Sequence, residues 1–149
     1  MSFKEKNRLI QEYVRQLSVL RAHNLSFSRH DSQATYLPLA EASHLICTLE
    51  AFVRILPDLE AMNSQTLNPI LQFAIARNVL KIHPEDFKFI TDFRNRVLHG
   101  NILQIASEQK LTIEEYCKNQ FLRDIEKMTH LVSGIFSQID PETGKPFSK

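Results

Sequence analysis

Three glycines and six prolines in 149 residues are too few for the turn-rich alternation of an all-β chain, so helices should dominate. The same scarcity leaves little for a phosphate-cradling loop. GxGxxG, GxxxxGK(S/T), HExxH and GxSxG are all missing, which removes the usual marks of dehydrogenases, NTPases and zinc hydrolases. Only two cysteines occur, Cys47 and Cys117, far apart and without CxxC spacing. Both fall on apolar faces of expected helices and read as buried small hydrophobes. No charged leader followed by an apolar run opens the chain, so a cytosolic location is expected. No segment approaches the roughly 20 apolar residues that cross a bilayer. Excess charge is missing too: 18 basic against 17 acidic residues give +1, so any contact with nucleic acid must come from a local patch. The six histidines, at 23, 30, 44, 83, 99 and 130, show no ligand spacing, and neither a metal nor a cofactor is expected. The absence of tryptophan excludes nothing.

With 43% hydrophobic and 23% charged residues, the composition is that of one globular domain with a real core. The periodicity predicts an all-α bundle of about five helices over residues 1–140, followed by a polar, flexible tail over 141–149. The first helix should run from Phe3 to His23 and bury Leu9, Ile10, Tyr13, Val14, Leu17 and Leu20. Asn24 to Thr35 reads as a loop, and its Arg29-His30-Asp31 run as solvated polar residues. A second helix from about Pro38 to Pro57 carries a seam of Ala42, Leu45, Leu49, Phe52, Val53 and Leu56. On it, His44 and Glu50 lie on different faces, which disfavours a metal pair, while Glu50 is a candidate to reach the helix described next. Asn68-Pro69 suits the start of a third helix through Lys81, with Ile70, Phe73, Ala74 and Leu80 inward and Arg77 and Lys81 sharing a face at i, i+4. Residues 101–111 read as a connection that packs down through Ile102, Leu103 and Ile105. Thr112 to Glu115 is a capping box opening one long final helix, with Cys117, Phe121, Ile125, Met128, Val132, Ile135 and Ile139 inward.

The stretch from His83 to Gly100 stands out. Pro84 suits the first helical position, Glu85 and Asp86 the first turn, and Gly100 a left-handed stop. Phe89, Ile90, Phe93 and Val97 make an ordinary core stripe. Arg94, Asn95 and His99 fall elsewhere, in a fan of roughly 140° at about 100° per residue, with Phe87, Thr91 and Leu98 among them. Two large apolar residues around an arginine, an amide and a histidine suit an interface containing a polar site, and a two-fold contact through Phe87, Thr91, Arg94 and Leu98 is expected. Taken singly, Arg94 could be a surface ion pair and His99 a basic ring at a helix C-terminus.

Arg94-Asn95-Arg96-Val97-Leu98-His99-Gly100 resembles the motif of the HEPN superfamily: an arginine, usually followed by a polar residue, and a histidine four to six residues on. The resemblance implies a metal-independent endoribonuclease of the prokaryotic toxin or defence kind, acting on RNA as a homodimer whose two motifs face each other. It assigns Arg94 to the phosphoryl oxygens, His99 to proton transfer and Asn95 to their support. Outside the resemblance, Arg96 offers no more than phosphate attraction, and Arg77 and Lys81 could extend a basic strip toward this helix as weak RNA contacts, an exposed helix face being the commoner explanation. An antitoxin or other regulatory protein is a further implied partner. Where the subgroup silenced by adenylylating enzymes has tyrosine two residues after the histidine, this chain has Asn101, so that form of silencing is not expected. The competing reading is a non-catalytic HEPN-like dimerisation or adaptor module.

Overall fold

The apolar seam of the second helix is the axis around which the chain folds. Ala42, Leu45, Leu49, Phe52, Val53 and Leu56 are all buried, the first five on α2 (Tyr36–Ile55), because they recur at the three- and four-residue spacing that keeps one helix face continuous. The computed structural model describes residues 1–26 and 36–147. Among these the chain is all-α, with seven α-helices and one 3-10 helix. The additional elements are α1 (Phe3–Ser26), the 3-10 helix (Pro57–Met62), α3 (Leu67–Ala76), α4 (Pro84–Leu98), α5 (Ile102–Glu108), α6 (Ile113–Lys118) and α7 (Gln120–Phe136). α2 packs on α1, α3, α4, α7 and the 3-10 helix, while α4 also packs on α7. An aromatic ladder joins α4, α6 and α7: Phe93 stacks on Phe121 at 6.0 Å and Tyr116 on Phe121 at 5.8 Å. No described helix is long and apolar enough to cross a membrane.

Seven α-helices replace the expected five or so for reasons that are local. The third helix stops at Ala76 because Asn78 takes a left-handed conformation, φ 58°, which asparagine tolerates better than most residues. The amides of Val79 and Leu80 then both donate to the Ala74 carbonyl, and the two side chains are buried beyond the helix. Arg77 and Lys81 therefore share no helix face. The N-cap is Thr66, not Asn68. The connection after Gly100 is itself a helix, with Ile102 and Ala106 buried but Leu103 exposed. The final helix breaks at Asn119 (φ −122°, ψ −90°), whose side-chain amide donates to the Glu115 carbonyl at 2.9 Å and so competes with helical continuation. Every apolar residue expected along that helix is nonetheless buried, because the spacing passes across the break unchanged.

The capping box forms as read: Glu115 N donates to Thr112 Oγ1 at 3.1 Å and Thr112 N to Glu115 Oε1 at 3.2 Å. α1 buries less than its pattern suggested. Ile10 is buried, but Leu9 and Tyr13 are exposed, since both lie at the edge of the stripe while α1 packs chiefly on α2. Cys47 is exposed and not buried, being about 200° round α2 from Leu45 of the seam. Cys117 is buried, and desolvation pushes its thiol up to about 11. Residues 141–147 fold back instead of trailing away: Asp140 N donates to Lys145 O and Phe147 N to Gln138 O, and Gly144 is buried against Phe3 and Pro57.

Candidate functional site

α4 begins at an N-cap His83, whose Nδ1 accepts from Glu85 N, and ends at Leu98 with Gly100 at φ +69°. An added Cβ at Gly100 would meet nothing within 4 Å, so glycine serves the backbone conformation and not a close approach. Of the core stripe, Ile90 and Phe93 are buried, with Phe89 and Val97 partly buried against the core.

The motif residues divide between an inward and an outward part. Arg94 Nε donates to Glu50 Oε1 of α2 at 2.7 Å, and the two side chains are 18% and 15% exposed. The expected reach of Glu50 to this helix is therefore present. Glu50 Oε2 also faces Arg54 Nη2 at 3.4 Å, one helical turn along α2. Arg54 Nη2 donates in addition to the Gln65 carbonyl at 3.1 Å, while its buried Nε has no acceptor among the described residues. Two guanidiniums thus share one carboxylate, one on each oxygen. His99 is exposed on the C-cap, with its backbone N–H on the Asn95 carbonyl at 3.0 Å. Asn95 is half-buried on the same side, four residues earlier.

The fan read as one interface is covered in part by the chain itself. Phe87 packs against the core, and the Thr91 hydroxyl lies 2.7 Å from Asn68 Oδ1 of α3 and 3.0 Å from the Phe87 carbonyl. What stays open is Leu98, 45% exposed, next to His99, with Leu103, 62% exposed, just beyond Gly100. Arg96 turns inward: Nη1 donates to Asp124 Oδ2 at 2.5 Å and to the Tyr116 hydroxyl at 3.0 Å. Burial alone would lower the tendency of Arg96 to hold its proton, but these two partners outweigh it and strengthen that hold. Arg77 lies over the Phe73 ring at 4.9 Å. Lys81 is exposed, and its backbone is clasped by the Gln138 side-chain amide through two hydrogen bonds. His44 bonds the Tyr13 carbonyl with Nε2 at 3.0 Å, a tie between α2 and α1. Arg29, His30 and Asp31 lie outside the described residues.

Sequence reading did not single out Arg54. Its signal was available, since it lies four residues after Glu50 on one face of the same helix. Nor did it find Asp124, an acid inside the seam between Phe121 and Met128, where a buried carboxylate requires a partner.

A second charged cluster lines a half-open cleft of about 1030 Å³ between α1, α2 and α7. Arg21 spans its mouth, with Nη2 on Glu126 at 2.6 Å and Nη1 at 3.7 Å from Glu41. The Glu41 side chain is buried, and Asn24 donates to it. Burial holds the Glu41 carboxyl above the usual range; Asn24 and Arg21 pull it back, and Glu126 adds to the rise. No family model matches this sequence, no curated protein matches it, and no solved structure matches its fold.

Proposed function

We propose that this chain is a HEPN-type endoribonuclease, of the toxin or defence kind, that cleaves RNA without a metal ion. The observation that carries the reading is a guanidinium anchored by Glu50 on α4 together with an exposed imidazole five residues later, at the C-cap of that helix. Arginine offers a planar fork to phosphoryl oxygens, and histidine titrates near neutral pH. The 2′-hydroxyl attacks the adjacent phosphorus as His99 takes its proton. The new O2′–P bond forms as the P–O5′ bond breaks, leaving a 2′,3′-cyclic phosphate. Arg94 stabilises the charge that builds on the phosphoryl oxygens. His99 of the partner subunit protonates the departing 5′-oxygen, which gives the homodimer its role. Exposed Leu98 and Leu103 flank His99, and their burial against a second copy would bring the two histidines toward the two-fold axis.

The test uses purified protein, single-stranded RNA and excess chelator. Cleavage is expected, with a cyclic phosphate product, and His99→Ala should lower it by about 10²–10⁴-fold. A substrate with 2′-deoxy sugar at the cut site should be inert. Cleavage that survives His99→Ala or accepts the deoxy site would overturn the mechanism. One observation favours the adaptor reading instead: the Arg94–Glu50 bond is also a sufficient tie between α4 and α2. A dimer that cuts no RNA would select it.

A further inference from the structure

The charge on Glu50 is outnumbered. Arg94 and Arg54 each carry +1 and the carboxylate −1, so among the described residues these three paired groups sum to +1. Among the described residues Arg94 makes one hydrogen bond, through Nε, out of the five N–H donors of a guanidinium. Arg54 directs Nη2 to Glu50 and to the Gln65 carbonyl, and its buried Nε lacks an acceptor among the described residues. A buried donor without an acceptor is rare enough to require a reason. Arg54 is also the more open of the two, 39% exposed at the side chain against 18% for Arg94. A carboxylate presents two oxygens and holds one guanidinium on each. A phosphodiester likewise presents two non-bridging oxygens and one negative charge.

The geometry points to Arg54 as a second phosphate-binding residue, so that Arg94 and Arg54 together clamp one RNA phosphodiester while Glu50 holds both guanidiniums from the inside. This inference rests on the nuclease reading and deepens it, naming the ligand of the site as a single phosphodiester anion bridged by two arginines. Glu50 then has a double effect. It aligns the clamp, and it competes with the anion for the same donors. Turning Arg54 outward onto a phosphate would also give its Nε the acceptor that it lacks.

The experiment measures binding and not cleavage, with a fluorescent single-stranded oligonucleotide whose 2′-deoxy sugars cannot be cut. Anisotropy titrations across salt concentration are made on the wild type, Arg54→Ala, Arg54→Lys and Glu50→Gln, each checked by thermal melting. Arg54→Ala should weaken binding by roughly tenfold and reduce the slope of log K against log salt by about 0.7, the value for one phosphate contact on a single strand. Arg54→Lys should keep the slope, since it keeps the charge, while losing part of the affinity with the fork. Glu50→Gln is the most telling variant: it should melt earlier yet bind the oligonucleotide more tightly, which a purely structural arginine–glutamate tie would not produce. An unchanged salt slope in Arg54→Ala, or weaker binding in a folded Glu50→Gln, overturns the inference. If RNA is cut normally while Arg54→Ala binds as the wild type does, the clamp fails and the nuclease reading stands. If the slopes change as expected but no RNA is ever cut, the clamp stands and the nuclease reading fails.

Discussion

Arg94 and Arg96 are two residues apart on one helix and meet opposite surroundings. Arg96 has one carboxylate, Asp124, and a phenol, Tyr116, while the second oxygen of Asp124 accepts from Gln120 at 3.2 Å. Charges there cancel, and the cluster ties α4 to α6 and α7 with both oxygens of its carboxylate engaged. Arg94 shares its carboxylate with Arg54, and these three groups sum to +1. A closed cluster stabilises the fold; an open one keeps binding capacity and gives up part of that stabilisation. The same helix carries both because successive residues lie about 100° apart and face different neighbours.

The largest effect expected from breaking this contrast is on activity. Arg94→Ala should lower RNA cleavage by about 10²–10³-fold, the usual loss of one oxyanion donor, with a modest change in melting because Glu50 keeps Arg54. Arg96→Ala should do the reverse, melting early while each folded molecule cleaves at close to the normal rate. Single-turnover assays beside melting curves check both. Loss of cleavage in a well-folded Arg96→Ala protein would erase the distinction between the two arginines.

Next in size is Asp124→Ala, which leaves Arg96 without its counter-charge. Buried pairs broken on one side cost about 3–5 kcal/mol. These side chains remain 17% and 12% exposed, so about 3 kcal/mol, near the lower end, is expected. At roughly 2–4 °C per kcal/mol for a chain of this size, that lowers the melting temperature by about 6–12 °C. Calorimetry decides it, and a drop of under a degree would show that Arg96 finds another acceptor. Tyr116→Phe removes only the neutral acceptor and should cost about 1.5 kcal/mol, the low end for a hydrogen bond to a charged group. Its ring packing on Phe121 is retained. A loss matching that of Asp124→Ala would mean the phenol, and not the carboxylate, dominates the cluster.

Apolar periodicity displays the helix seams directly, and it is blind both to backbone breaks that leave the spacing intact and to partners that lie far along the chain. The seam of α2, the buried face of α7 and the capping box at Thr112 depend on spacings of three or four residues, which a sequence displays directly. The stop at Asn78 depends on a left-handed residue, and a helix read on apolar spacing runs straight through it. The break at Asn119 was hidden because Cys117 and Phe121 remain four residues apart on either side. The candidate site divides in the same way. Arg94, Asn95 and His99 form a local motif, and Glu50 was within reach as a polar residue on a packed helix. For Arg96 the local sequence suggests no more than a weak attraction to phosphate, because nothing near it discloses Asp124, 28 residues on. A helical wheel states which way a side chain points and not what waits there.

The cleft between α1 and α7 supplies the mirror image of the Glu50 cluster and the smallest of the expected effects. Here one guanidinium, Arg21, serves two carboxylates, Glu41 and Glu126, so these three groups sum to −1, with Arg123 and Lys127 also lining the cleft. The excess falls on Glu41, which burial and the neighbouring Glu126 hold above its ordinary value of 4.5 against the pull of Asn24 and Arg21. A carboxyl whose folded value lies above its unfolded one binds its proton more tightly in the native state. The contribution of Glu41 to stability is then greatest in acid and falls as pH rises through the interval above 4.5, and the cost persists at neutral pH. Glu41→Gln removes the charge while keeping an acceptor for Asn24. It should raise the melting temperature slightly at pH 7 and leave it unchanged in acid below 4.5, flattening the slope between. Glu50→Gln should shift melting at pH 7 in the opposite direction, because Glu50 has two cations to itself. Melting curves of both variants from pH 4 to pH 8 make the comparison. If Glu41→Gln melts earlier at neutral pH, Arg21 compensates the buried charge fully, and the two clusters are not opposites.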